Sequence, residues 1–156
     1  MNPDAIAAEL KTFKTFFDRS TACLVEDDSA FAPVEGQKTV AQHVAHVAQT
    51  VDWFITGAFH PEGFEMDFER LESETMKVES LSAAREWLDR AFSAAAKAAS
   101  GHSAEEWARP MPQGPIMGGM PRFVILGGIN DHTAHHRGAL AVYARLRGHR
   151  PAMPYM

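Results

Sequence analysis

Apolar residues recur along most of this chain at alternating spacings of three and four, the period of one face of a helix. Ile6, Leu10, Phe13 and Phe17 form the first stripe, with Asn2-Pro3 ahead of it as N-cap and first helical residue. Leu24 continues the stripe. The acidic run Glu26-Asp27-Asp28 is unfavourable at a helix C-terminus, which predicts an end between Leu24 and Glu26. Val40, Val44, Val47, Val51, Phe54 and Ala58 make a second, seam-like stripe behind the capping-box pair Thr39 and Gln42, with Gly57 as the expected terminator. A third helix is expected over Leu81 to Ser100, with Leu81, Ala84, Leu88, Ala91, Phe92, Ala95 and Ala99 on its apolar face and Gly101 at its end. The fourth is expected from near Pro121 to Arg147, with Gly148 past its end and Ile125, Ile129, Leu140 and Tyr143 on its buried stripe. Gly127-Gly128 interrupts it. Either the helix is continuous and packs tightly there, or it starts afresh with Asn130 as N-cap.

No segment has the period of a strand. Four amphipathic helices of this length predict an all-α chain, a single four-helix-bundle domain over residues 1–156. Residues 60–80 carry Pro, Gly and mixed charge and read as a long connection with a short turn of helix. A connection this long suggests a crossover between helices two and three, so that the third runs parallel to the second. Residues 111–121 are rich in Gly, Pro and Met, and a loop of this kind at a bundle end often lines a site. Met111, Met117 and Met120 are its candidate roof.

Composition narrows the picture. The chain has 156 residues and a formal charge of −5 without any Lys/Arg cluster, which argues against a nucleic-acid surface. No apolar run approaches the length that spans a bilayer, and the N-terminus lacks the apolar core of a signal peptide. The lone Cys23 cannot form an internal disulfide. A cytoplasmic protein is the expectation.

The candidate chemistry lies in His132, His135 and His136, three of the eight histidines, all inside the fourth helix. His132 and His136 stack one turn apart on one face, in a stripe that otherwise reads as core. Buried imidazoles are costly unless something satisfies them, and two so placed can reach one metal ion. The bland alternative is a pair of core histidines bonded to polar neighbours. A third ligand could come from helix two, which offers His43 and His46. Periodicity alone favours His43, about 60° from the centre of the valine stripe, over His46 at about 120°. His135 falls on the rim. Asp131 and Asp52 read as surface groups, and Trp53, Trp87 and Trp107 as core or interface. Arg137 and Tyr143 are candidates for contacting a substrate: Arg137 as an anion partner, with a simple surface pair as the favoured alternative, and Tyr143 because it lies on the histidine face about two turns beyond His136.

Thr39 to Phe54, Thr-Val-Ala-Gln-His-Val-Ala-His-Val-Ala-Gln-Thr-Val-Asp-Trp-Phe, resembles the second-helix motif of the DinB-like, YfiT-related four-helix-bundle proteins. His132 to Gly148 resembles the last-helix signature of the same family. The resemblance covers nearly the whole chain in helix order and loop length. It implies a metal-binding His seven residues after the Thr cap, which is His46 and not His43, with His132 and His136 as the other ligands. It also implies a divalent ion, zinc or nickel first and iron or manganese after them, since three imidazoles do not select a metal. Ala139 stands where many members have Gln. Gly138 stands where iron-binding relatives carry Glu, which argues against that branch. His43 replaces a usual aliphatic residue and reads as a core or rim group, with a pocket role as the alternative.

Three neutral imidazoles without a thiolate leave open positions on a metal, the pattern of a catalytic site. The resemblance therefore implies a metal-dependent enzyme acting on a small molecule, a thiol S-transferase or a hydrolase, with a low-molecular-weight thiol as the first partner to consider. The alternative is a non-enzymatic small-molecule-binding or stress-response protein with the same metal site. Relatives form dimers, so a homodimer is expected.

Overall fold

The computed structural model describes residues 2–156. Among them are six α-helices and no strand: α1 (Pro3–Thr21), α2 (Val40–Phe59), α3 (Phe68–Met76), α4 (Leu81–Gly101), α5 (Ala104–Ala108) and α6 (Ile125–Leu146). Short 3₁₀ turns occupy Glu26–Asp28 and Arg122–Val124. No described helix is long and apolar enough to cross a membrane. The four long helices enclose one core. The most extensive packing is α2 on α4; α1 lies against α4 and α6, and α6 against α2. The valine and alanine stripes face inward as the periodicity requires, with Val40, Val44, Val47, Val51, Leu88, Ala95, Ile129 and Leu140 at most 1 % exposed.

Capping chemistry sets where the helices begin. Asn2 Oδ1 accepts from Asp4 N, and Thr39 and Gln42 exchange side-chain and backbone hydrogen bonds at the start of α2. α4 begins at Ser80, whose hydroxyl accepts from Ala83 N. Its first free amides are also met from outside the helix: Glu26 accepts from Leu81 N and Ser82 N, and Ser29 Oγ from Leu81 N. A carboxylate at a helix N-terminus also complements the dipole. Ser29 O accepts from Ala41 N near the start of α2, so the first turns of α2 and α4 meet at one residue. Their last turns meet as well, where Phe59 stacks on His102 at 3.9 Å. The two helices therefore run in the same direction.

Several boundaries differ from the sequence expectation. α1 ends at Thr21, before Leu24, although Leu24 is still buried. The acidic run does not weaken a helix end; it forms the 3₁₀ turn whose Glu26 serves α4. Gly57 does not terminate α2. A Cβ there would lie 2.2 Å from the Phe64 ring, so glycine admits the returning chain. α6 is continuous through Gly127-Gly128, with no new start at Asn130. A Cβ on Gly128 would lie 2.6 Å from Phe54 and 3.1 Å from Met117, while Gly127 faces open space. The 60–80 connection holds a nine-residue helix, α3, where a single turn was expected.

One buried carboxylate ties the far end of α6 to the loop before α2. Asp28 is 1 % exposed and accepts from Val25 N (3.0 Å), Arg147 Nε (2.8 Å) and His149 Nε2 (2.7 Å). Burial alone would raise its carboxyl; the Val25 amide, Arg147 and His149 outweigh burial and hold it below the usual carboxylate range. Replacing Asp28 with alanine leaves the Val25 amide without its acceptor but lets the half-exposed Arg147 and His149 turn to water. Asp28→Ala should therefore cost ~1–3 kcal/mol in urea unfolding. Because the folded carboxyl titrates low, the stability it contributes is present above the ordinary carboxylate pKa and is lost as pH falls below it.

Candidate metal centre

α2 and α6 bring four imidazoles together where they cross. His132 Nε2 lies 3.2 Å from His46 Nε2 and 3.2 Å from His136 Nε2. One donor nitrogen from each of His46, His132 and His136 lies within 4.8 Å of the other two. Metal–nitrogen bonds of ~2.0–2.1 Å at a tetrahedral angle separate the donor atoms by ~3.3 Å. The spacing of the His132 contacts therefore suits a single small cation.

The donor chemistry agrees. A neutral imidazole carries one ring proton, so each Nε2 is either a donor or a lone pair. His132 Nε2 faces His46 Nε2, His136 Nε2 and, at 3.4 Å, Thr50 Oγ1. Protons cannot satisfy all these nitrogen–nitrogen contacts at once. A cation would satisfy three lone pairs together. His46 Nδ1 is buried with no partner among the described residues, so no hydrogen bond on that side orients its ring.

The structure also separates His43 from His46. His43 stands behind His136: its Nδ1 is 2.9 Å from His136 Nδ1, the nitrogen turned away from the cluster, and its Nε2 is 3.2 Å from Tyr143 Oη. Tyr143 in turn donates to Gln37 Oε1 (3.0 Å) or Lys38 O (3.3 Å). Tyr143 is thus a buried link behind the histidines. Burial raises its phenol pKa, so it keeps its proton. His135 is exposed, with its ring beside that of His136. Of the two readings of Arg137, an anion partner near the metal or a surface group, its position agrees with the second. Its guanidinium lies 5.9 Å from the Phe16 ring centroid, against α1.

A cavity of about 540 Å³ opens beside His46 and His132. That is within the size range of small-molecule sites. Trp53, Phe54, Phe68 and Leu71 supply apolar wall, and Asp131 reaches its edge. Across it Lys38 pairs with Glu72 of α3 at 2.6 Å. Sequence reasoning missed Thr50, Lys38 and Glu72. Thr50 was legible, being one helical turn beyond His46; the other two depend on where α3 docks. Met117 reaches Gly128 in this wall, whereas Met111 is core and Met120 is exposed. Asp52 is not a free surface group. It accepts from Trp87 Nε1 at 2.8 Å, and burial raises its carboxyl despite that bond. Trp107 is core at 0 % exposure.

Burial is the main reason why all four imidazoles resist protonation, with their mutual proximity adding to it at His43, His132 and His136. His43, His46 and His132 are pushed down to about 4, and His136 to about 2. All four are neutral at pH 7, which leaves lone pairs available to a metal.

A sequence model of the DinB family matches residues 18–156. The crystal structure of a DinB-like protein from Bacillus cereus ATCC 10987 superposes with a TM-score of 0.70 at 17 % identity, covering 97 % of each chain. At that identity the likeness concerns the fold. No curated protein matches the sequence.

The depressed histidines predict how the metal-free protein responds to acid. Unfolded imidazoles titrate near 6.5, whereas the folded ones do so at about 4 or below, so the unfolded state binds more protons in between. The contribution to stability is fully present above about pH 6.5 and is lost as pH falls toward 4. Thermal melts of metal-free protein should show this decline, and the double variant His43→Leu/His136→Leu should flatten it.

Proposed function

The chain belongs to the DinB family, and from that premise we propose that it is a metal-dependent enzyme acting on a small molecule, with a divalent ion held by His46, His132 and His136. The observation that carries this is the convergence of three neutral imidazole nitrogens between α2 and α6, beside an open cavity. We read the four long helices as a four-helix bundle in which residues 60–80 cross over from the end of α2 to the start of α4.

Three protein ligands leave room for a substrate or solvent on the cavity side. A divalent ion there would supply Lewis acidity, lowering the pKa of a thiol or water that reaches it. The protein's part is to orient and to exclude water. Trp53, Phe54, Phe68 and Leu71 offer an apolar surface to the body of a substrate. Among the described residues Lys38 offers the one cation lining that cavity, shared with Glu72. This combination suits transfer of a low-molecular-weight thiol to an electrophile, with hydrolysis as the variant in which water takes the thiol's place. Zinc and nickel fit an all-imidazole set; iron and manganese are also compatible with it.

A second reading, a non-enzymatic binding protein with the same metal, is favoured by one observation. Among the described residues, the groups within hydrogen-bond reach of the histidine cluster are Thr50, Tyr143 and imidazoles; Glu72 is engaged by Lys38 and Asp131 stands at the cavity edge, so no carboxylate is bonded to the cluster as a general base.

Metal analysis of untagged protein should find about one divalent ion per chain. Alanine at His46, His132 or His136 should each abolish or strongly reduce that content, and metal should raise the melting temperature of the parent protein with concentration. Full metal retention in all three variants would sink the site. Metal-dependent turnover of an electrophile with any member of a thiol panel would favour the enzyme over the binding protein.

A further inference from the structure

His43 contributes no ligand, yet it spans the space between His136 and Tyr143. We propose that His43 is a positioning residue: with Tyr143 and the Lys38 carbonyl it forms a polarised chain that fixes His136 in the one tautomer able to bind a metal. This role rests on the metal site proposed above, but the tautomer itself belongs to the metal-free protein and can be tested there.

The placement of protons fixes the sense of the chain. The links are His136 Nδ1 to His43 Nδ1 (2.9 Å), His43 Nε2 to Tyr143 Oη (3.2 Å), and Tyr143 Oη to Gln37 Oε1 (3.0 Å) or Lys38 O (3.3 Å). Each imidazole is neutral, with one N–H and one acceptor nitrogen. The chain therefore has only two self-consistent directions. In one, His136 Nδ1–H donates to His43, His43 Nε2–H donates to Tyr143, and the phenol donates outward. This leaves His136 Nε2 as a lone pair aimed at the cluster. In the other direction every donor and acceptor reverses. The phenol donates inward, His43 Nδ1–H donates to His136, and the His136 proton sits on Nε2, where it blocks a metal.

The outer end of the chain decides between them. A main-chain carbonyl can only accept, and the Gln37 side chain presents its oxygen beside it. Both draw the Tyr143 proton outward, so the phenol oxygen is left to accept from His43. An outward phenol therefore selects the metal-ready direction through two rings. His46 has no such partner on its Nδ1 among the described residues, so His136 carries a control that His46 lacks. Partners of this kind orient a ligand ring and raise its basicity, and losing one typically costs 10–100-fold in metal affinity.

Three substitutions separate the proposal from a merely structural role. Asparagine places its Oδ1 near the position of His43 Nδ1 and can still accept from His136; leucine cannot. Zinc affinity, measured by chelator competition on untagged protein, should fall ~10–100-fold in His43→Leu. It should be largely restored in His43→Asn. In metal-free protein, ¹⁵N correlation spectra of the imidazoles should show His136 as the Nδ1–H tautomer. In Tyr143→Phe, which removes the outer anchor, an Nε2–H population should appear. Zinc affinity unchanged in His43→Leu, or as low in His43→Asn as in His43→Leu, would overturn the proposal. So would a His136 tautomer that Tyr143→Phe does not alter. Thermal melts of each metal-free variant establish that the fold is retained. If the parent protein binds no zinc, the metal site itself fails, and the tautomer spectra still decide whether the chain is polarised as described.

Discussion

The desolvation of four imidazoles between α2 and α6 is the constraint on which the rest of this molecule depends. Imidazoles packed this closely repel protons and, without a shared cation, present lone pairs to one another. Such an arrangement survives only if the surrounding helices are held in place by interactions that do not depend on it. The packing of α2 on α4 is the most extensive of these. The cost at the site is thus borne by packing elsewhere, as buried polar clusters in general require.

Registration of α2 against α6 comes from both ends of the crossing. Near the start of α2, the Thr39 cap fixes the first turn, and Lys38 O meets Tyr143 of α6. Asp28, in the loop before α2, holds Arg147 and His149 just past the end of α6. Toward the cavity, the missing Cβ of Gly128 lets α6 approach the Phe54 ring of α2. A substitution that enlarged residue 128 would press on the same pair of helices that carries the candidate ligands. The glycine that looked like a weakness in α6 is therefore part of what sets the geometry of the histidine cluster.

The long helices were legible because their apolar residues repeat with the helical period over about three to five turns, which neither a strand nor a loop sustains. α3 and α5 were not. α3 is mostly exposed and is held by contacts distant in sequence, Lys38 to Glu72 and Gln42 Nε2 to Met76 O. α5 is only five residues long, although Ser103 and Glu106 do carry a capping-box pattern. The choice between His43 and His46 shows a different limit. Angular distance from a stripe centre assumes one buried face, but α2 is buried on α4 and on α6 at once. A residue that faces the cavity between α2 and α6 can therefore lie well off the stripe centre, as His46 does. Resemblance to a family corrected that choice where periodicity could not. The roles of Gly57 and Gly128 were hidden for a related reason: each is explained by an aromatic ring that the local sequence does not reveal.

His43 marks the point at which burial turns from a cost into a control. An aliphatic residue there would pack with less penalty, since a buried imidazole must find a donor and an acceptor of the right sense. His43 finds both, and it finds them in series, so the direction of one hydrogen bond fixes the direction of the next. A chain of neutral imidazoles has no intrinsic polarity; either tautomer of each ring is acceptable in isolation. Polarity enters only from a group that cannot reverse. A backbone carbonyl is such a group, and the one here belongs to Lys38, immediately before the Thr39 cap that fixes the start of α2. The capping interaction that determines where α2 begins thereby also holds the carbonyl that orients Tyr143. Local helix chemistry and the electronic state of a candidate metal ligand are thus joined through three contacts, from the Lys38 carbonyl to Tyr143, from Tyr143 to His43 and from His43 to His136.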